Sequence, residues 1–440
     1  MSRHAFSGVV VFPILLLASG CILGSARPPL GVWVPAEGES RPLNSADETA
    51  LLAERARESG ITDLFVQVFR GGRAWWPSDQ FERGPYAGLD PVADLIQRTR
   101  PHGIRVHAWI NVYSLSTRPS AKALKRLPES AWTRDNLGRS VVAYSGESRE
   151  SLEADIDSPG LWLDPASPDA QAFILAAVDE LTARYPQLAG IHLDFVRYPY
   201  ALPMKPAANL ARGIEFGFGD AAIERFEKET GMEVPFQGVT GESARKFADW
   251  RREQITQLVH EIRKRTKKKM RLSAAVLAWQ DRAYLSSFQD WRRWLEEGAI
   301  DFAVPMAYSR DDRFFRYLAT SSMATRPPGE PPHARVWVGL GAWDIGADPD
   351  AFHTQLDIAA AVQPDGVVLF SYDNIAKSPA LIEILRRWNR GESAPPPPGT
   401  PEEPKSLIDY IDWDQRQYRK QQEAERVKSG SPPSSHETRP

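Results

Sequence analysis

The segment GIHLDFVRYP at positions 190–199 alternates apolar with polar residues. Successive side chains of a β-strand point to opposite faces, so Ile191, Leu193 and Phe195 fall on one side and His192 and Asp194 on the other. If the apolar set packs against helices, Asp194 faces inward at the C-terminal end of the strand. A carboxylate is costly to bury there unless it is paired or used. The same alternation in segment 105–113 sends His107, Trp109, Asn111 and Tyr113 inward, and in segment 63–69 it groups Gln67 with Phe65 and Phe69. Arg70, Arg73, Trp75 and Trp76 follow in the next loop, and Arg197 and Tyr198 follow Asp194. Trp279, Tyr308, Trp343 and Tyr372, with Asp344 and Asp373, stand at or beside the ends of further apolar runs. Aromatic platforms among hydroxyls and carboxylates suit a carbohydrate ligand. The chemistry open to carboxylates beside a sugar is acid–base catalysis: one protonated carboxyl protonates the leaving oxygen, and a second attacks or activates water. Asp194 is the expected acid. Asp164 is its expected partner in preference to Asp344 or Asp373, against the competing reading that it caps the helix after Pro165.

Other chemistries find less in the chain. The eight histidines show no paired helical spacing and there is one cysteine, so neither a metal site nor a cofactor is expected. No Gly-x-Ser-x-Gly elbow marks a serine nucleophile, and no glycine-rich phosphate turn follows the first strand. With 54 basic and 57 acidic residues and a net charge of −3, the chain lacks the cationic field that nucleic acid would select.

The elements that must position these residues read as a repeat. Strand patterns at 30–35, 63–69, 105–113, 190–196, 271–278, 302–308, 336–343 and 366–372 alternate with helical patterns such as 46–59, 91–100, 169–185, 245–267 and 284–297. Eight strand–helix units predict an α/β fold, a (β/α)8 TIM barrel over 28–390. Two connections are long, 114–168 after strand three and 199–243 after strand four. Loops that leave strands open on the C-terminal face of such a barrel, so these insertions should wall a cleft there.

The two ends read differently. Arg3 and His4 precede an apolar run over 9–18, and Ala18, Ser19 and Gly20 lead into Cys21. That pattern predicts a signal peptide ending in a lipobox, with Cys21 acylated and the chain held to a membrane by its lipids. Ile22 rather than Asp follows the cysteine, which favours the outer membrane, facing the periplasm. Residues 391–440 begin with a linker containing Pro395 to Pro398 and continue as a charged tail, expected to be largely disordered and a candidate arm for an envelope protein partner.

Taken together, GIHLD at 190–194 with RYP at 197–199, FVQV at 65–68, HAWIN at 107–111, LDP at 163–165 and DFAVPMAY at 301–308 resemble the glycosyl hydrolase-like 10 family of bacterial barrels. The resemblance spans roughly 28 to 390. It implies hydrolysis of glycan chains, with members acting on peptidoglycan strands that have lost their stem peptides. In a common family form a second acid follows the strand-four aspartate, where this chain has Phe195. The acid of chitinase-like barrels falls at Val196 and is not carried over. Arg70, Arg73 and Arg197 are suited to holding muramic acid carboxylates. Two readings stay open beside this one: hydrolysis of a secreted exopolysaccharide, and a catalytically silent barrel that binds glycan.

Overall fold

The computed structural model describes residues 27–394, apart from 87, 89, 117, 143–159, 200–213, 237–240, 267–269 and 327–333. Cys21, the leader and the tail beyond 394 lie outside the described residues.

Eight parallel strands form the barrel: β1 Leu30–Val34, β2 Asp63–Arg70, β3 Arg105–Asn111, β4 Gly190–Asp194, β5 Arg271–Leu277, β6 Phe302–Met306, β7 Arg335–Leu340 and β8 Gly366–Phe370. Each pairs with the next, and β8 pairs with β1 through Leu30 and Val367, which closes the ring. Eight helices pack outside it: α1 Ala46–Glu58, α2 Pro91–Thr99, α3 Pro168–Arg184, α4 Glu242–Arg265, α5 Trp291–Glu296, α6 Asp312–Met323, α7 Pro349–Ala361 and α8 Pro379–Asn389. The start signals are local. In α2, α3, α7 and α8 a proline opens the helix directly after an Asp or Ser whose side chain accepts a first-turn amide. The missing proline N–H costs nothing at that position. The expected helix over 284–297 is instead two pieces, Gln280–Ser286 and α5, broken near Phe288, whose φ is 53°.

Alternation along the strands builds two cores. Ile191 and Leu193 join the large shell between strands and helices. Trp33, Phe65, Trp109, Phe302, Val304, Trp337 and Val368 fill the barrel interior. Room for these rings comes from glycines: a Cβ at Gly366 would lie 2.3 Å from the Trp337 ring, and one at Gly31 would lie 2.7 Å from Phe65.

Both expected inward histidines belong to this packed interior and not to the mouth. His107 stacks on Phe65 with ring centroids 4.7 Å apart, and its Nε2 lies 3.0 Å from Asp63 Oδ1. Burial alone would raise the Asp63 pKa, but hydrogen bonds from His107 and Arg105 outweigh it and hold the carboxyl well below its usual range. His192 Nε2 accepts the Trp33 indole N–H at 2.9 Å, and its Nδ1 lies 2.9 Å from Ser273 Oγ. A ring nitrogen that accepts carries no proton, so His192 is neutral. Burial, then the charge of His107, drives its pKa far down.

The insertions after β3 and β4 are joined by an antiparallel bridge between Asp135 and Phe216 and by the Asn136 amide on Glu215 O at 2.9 Å. Ser114 bridges Trp162, which folds the first insertion back along its own strand end.

Candidate active site

A cavity of about 580 Å³ opens at the C-terminal ends of the strands. Asp194, the last residue of β4, lies in its wall with 8% of its surface exposed. Register places Asp194 beside Asn111 on β3. Two donors meet the carboxylate: the Trp109 indole N–H reaches Oδ2 at 3.1 Å and the Phe195 amide reaches Oδ1 at 2.7 Å. Asn111 in turn accepts from the Gln67 side-chain amide at 3.0 Å. Burial raises the Asp194 pKa to about 6, and the Phe195 amide, the charge of Arg197, the Trp109 bond and the charge of Arg70 pull the other way. A carboxyl with a pKa near 6 holds its proton through mildly acidic conditions, as a general acid must.

Eight of the expected site residues line this one cavity: Gln67, Arg70, Trp109, Asn111, Asp194, Arg197, Trp279 and Tyr308. The Arg197 guanidinium lies over the Trp162 ring, 5.0 Å from its centroid. Arg70 Nε lies 3.4 Å from Glu37 Oε2. Burial, then the charge of Asp194, raises the Tyr308 pKa well above its ordinary value, so its hydroxyl stays a hydrogen-bond donor.

The other expected residues stand elsewhere. The pairing of β2 with β3 shifts register between Gln67 and Phe69, and this bulge turns Phe69 outward. Trp76 follows it, fully buried against Phe69 and Phe81 in the outer shell. Arg73 is held by Glu82 and by the carbonyl of Arg118. Tyr113 and Tyr198 lie past their strand ends and are fully buried outside the barrel. Tyr372 opens a short helix, Tyr372–Lys377, that turns it into the outer core. Asp373 accepts the Glu39 and Ser40 amides and ties down the β1–α1 loop. Trp343 is 53% exposed on the rim, its ring edge toward Tyr308 with centroids 6.5 Å apart.

Asp164 is the larger correction. It is 1% exposed, accepts the Ala166 amide at 2.9 Å, and is absent from the cavity wall. The carboxylate tethers the turn before α3, and Gly219 of the second insertion approaches so closely that a Cβ there would lie 3.0 Å from its Oδ2. Its pKa also rises to about 6, through burial opposed by hydrogen bonds from Ala166, Thr133 and Gly219. A perturbed pKa without access to the cavity belongs to the loop seam. Asp344 pairs with Arg310 at 2.5 Å. Among the described residues, Asp194 is the only acid in the cavity wall.

The sequence reading also missed contributors. Arg282, one turn beyond Trp279 in the helix after β5, lines the cavity, as do Trp162, Phe195, Phe314 and Phe370. Arg282 was accessible to a reading that followed Trp279 one helical turn further. Trp162 was not, because its place depends on the long-range bridge to Ser114.

The family model for "Glycosyl hydrolase-like 10" matches residues 31–353. The chain belongs to that family. As a member of the glycosyl hydrolase-like 10 family it is 24% identical over 421 residues to "Glycosyl hydrolase DigH" of Escherichia coli (strain K12), covering 83% of this chain and 88% of that protein. It is 23% identical over 375 residues to "Glycosyl hydrolase YngK" of Bacillus subtilis (strain 168), covering 76% of this chain and 64% of that one. Among solved structures, alpha-L-fucosidase isoenzyme 2 from Paenibacillus thiaminolyticus aligns with a TM-score of 0.55 at 12% identity, over 83% of this chain and 49% of that chain. The chain thus spans about half the length of that fucosidase, and the likeness concerns the fold alone. Family and relatives make this glycosyl hydrolase-like 10 protein a glycosidase. The family match stops inside α7, but closure of the barrel requires β8 as well. Phe195 has φ 52° and its ring stands edge-on to Trp162 at 5.6 Å, so the position after Asp194 shapes the wall.

The acid carries a pH signature. If protonated Asp194 is the working form, kcat/KM is level below pH 6 and falls tenfold per unit above it, an alkaline limb centred on the Asp194 pKa of about 6. A pH–rate profile on a soluble glycan reads this, and a limb set above pH 8 would assign the proton to another group.

Proposed function

We propose that the chain hydrolyses peptide-free peptidoglycan strands, with Asp194 as general acid and the 2-acetamido group of the substrate as the nucleophile. The observation that carries this reading is the composition of the cavity wall: one carboxyl, three arginines and a band of aromatics. Arg70, Arg197 and Arg282 suit a ligand with carboxylates, which bidentate guanidinium contacts favour. N-acetylmuramic acid residues supply both the carboxylate and the acetamido group. With no second acid in the described wall, the substrate completes the pair. Asp194 gives its proton to the glycosidic oxygen as the acetamido oxygen bonds to C1 and the leaving sugar departs. The Asp194 carboxylate then takes a proton from the water that opens the cyclic intermediate. Two displacements retain the anomeric configuration. Tyr308, a donor in the same wall, would hold the acetamido carbonyl.

The cellular setting belongs to this proposal. An acylated Cys21 would hold the enzyme on the outer membrane facing the periplasm, where such strands are found, and the tail beyond 394 would meet an envelope partner.

Digestion of defined peptide-free strands, with products identified by mass and anomer followed by proton NMR, tests the reading. Retained configuration is expected, with competitive inhibition by a thiazoline mimic of the cyclic intermediate. Inversion would remove the acetamido nucleophile. Turnover of a neutral exopolysaccharide but of no peptide-free strand would replace the substrate.

A further inference from the structure

We propose that Tyr317, stacked on Phe314 at the outer edge of the cavity, forms an additional sugar-binding subsite that supports a glycan strand as it leaves the site. This rests on the reading that the cavity holds a glycan. The helix α6 packs Phe315, Leu318, Ala319 and Ser322 against the barrel. Its outward face would ordinarily be polar, but it presents Phe314 and Tyr317, which are 44% and 58% exposed. The two rings lie nearly parallel, 16° apart with centroids at 6.1 Å. They are three residues apart on one helix and therefore neighbours on its surface.

Phe314 also lines the cavity, so the platform continues the wall of the site directly onto the helix surface. Neither ring belongs to the core, to which this helix contributes Phe315 and Leu318; Leu318, one turn past Phe314, also lines the cavity. A hexopyranose presents an apolar C–H face, to which Tyr317, the more exposed ring of this near-parallel pair, offers a flat surface. The occupant that continuity selects is the next sugar of the strand already in the cavity. Trp343 beside Tyr308 has similar exposure, but it stands alone on its helix and offers no extended surface.

The test is the dependence of hydrolysis on strand length in the full-length protein. On peptide-free strands longer than the cavity can enclose, Tyr317→Ala should lower kcat/KM about 3- to 10-fold, chiefly through KM, as the loss of one stacking contact implies. On the shortest strand the wild type cleaves, the same variant should match the wild type. Tyr317→Trp, which keeps a platform, should restore the long-strand rate. Equal rates for Tyr317→Ala and wild type at every length would overturn the proposal, and so would an equal loss at every length.

A binding measurement separates this inference from the hydrolase reading. Calorimetric titration of the same strands into Asp194→Asn protein, with and without Tyr317→Ala, should show a length-dependent loss of affinity with no chemistry involved. Failure of the wild type to cleave any strand would sink the hydrolase reading while leaving that titration decisive. If sedimentation showed a wild-type dimer that Tyr317→Ala dissolved, the platform would belong to a second copy of the chain and the sugar subsite would fall.

Discussion

Asp194→Asn protein is expected to lose turnover by roughly 10³-fold or more while binding glycan as before and melting at a higher temperature than the wild type at pH 7.5. Asparagine keeps the shape of the side chain and can still accept one hydrogen bond, but it has no proton to give. Substrate held by the arginines and the aromatic wall should therefore remain bound. The stability effect follows from linkage. Burial raises the Asp194 pKa from 3.8 to about 6 in the folded protein. Below pH 3.8 the group is protonated folded and unfolded, and it costs nothing. As pH rises from there to 6 the unfolded chain ionises first, and the folded state loses ground until both forms are charged. About two units of difference correspond to roughly 3 kcal/mol above pH 6. Asparagine removes that penalty, but its amide N–H group now faces either the Trp109 or the Phe195 donor, which costs roughly 1 kcal/mol. The net gain is on the order of 1–2 kcal/mol at pH 7.5; toward pH 4 the ionisation penalty falls away, the amide mismatch is left, and the variant should melt at or below the wild type. Thermal melts at pH 4 and 7.5 check both ends. A variant less stable than the wild type at pH 7.5 would mean that the carboxylate is ionised and well solvated, and its role as the proton donor would go with that result.

The distribution of such expectations between success and correction has a physical pattern. Alternation could be read wherever a strand is regular, so Asp194, Asn111, Trp109 and Gln67 were placed together from spacing alone. It failed at strand ends. Tyr113 was assigned by parity beyond Asn111, and Tyr198 by its place after Asp194, where β3 and β4 have already stopped and the chain turns outward. One residue of bulge after Gln67 moved Phe69 and Trp76 to the outer shell, and nothing in the residue types there marks a bulge. The same shift carries Arg70 into the cavity. Asp164 shows a different limit. An acid near a helix start can serve chemistry or the turn, and only the contact with Ala166 and the passage of Gly219 decide for the turn. Ala166 is a local partner, but Gly219 lies in the second insertion, whose approach no local pattern encodes. His107 and His192 were read correctly as inward, but depth along a strand decides whether inward means core or mouth, and both lie in the layers below Asp194.

Arg70→Met is the substitution expected to separate carboxylate recognition from catalysis. Arg70 lines the cavity from the end of β2, with its guanidinium against Glu37 at 3.4 Å and about a third of the side chain exposed. A charge-assisted bidentate contact to a substrate carboxylate is among the stronger hydrogen bonds a protein makes. Its loss should lower kcat/KM on muramic-acid-containing strands by roughly 10- to 100-fold. On an uncharged N-acetylglucosamine oligomer that the wild type cleaves, the change should be small. A second consequence has a fixed sign. The positive charge of Arg70 is one of the influences that lower the Asp194 pKa, so its removal raises that pKa and moves the alkaline limb of the pH profile upward. Methionine keeps much of the apolar stem, which limits lost packing as an explanation. Arg70→Lys should keep the pH limb in place, because the charge remains, while recovering only part of the discrimination, because an ammonium lacks the planar fork. Equal losses on charged and uncharged strands would deny Arg70 a part in recognising carboxylates, and an unmoved limb in Arg70→Met would deny that its charge reaches Asp194.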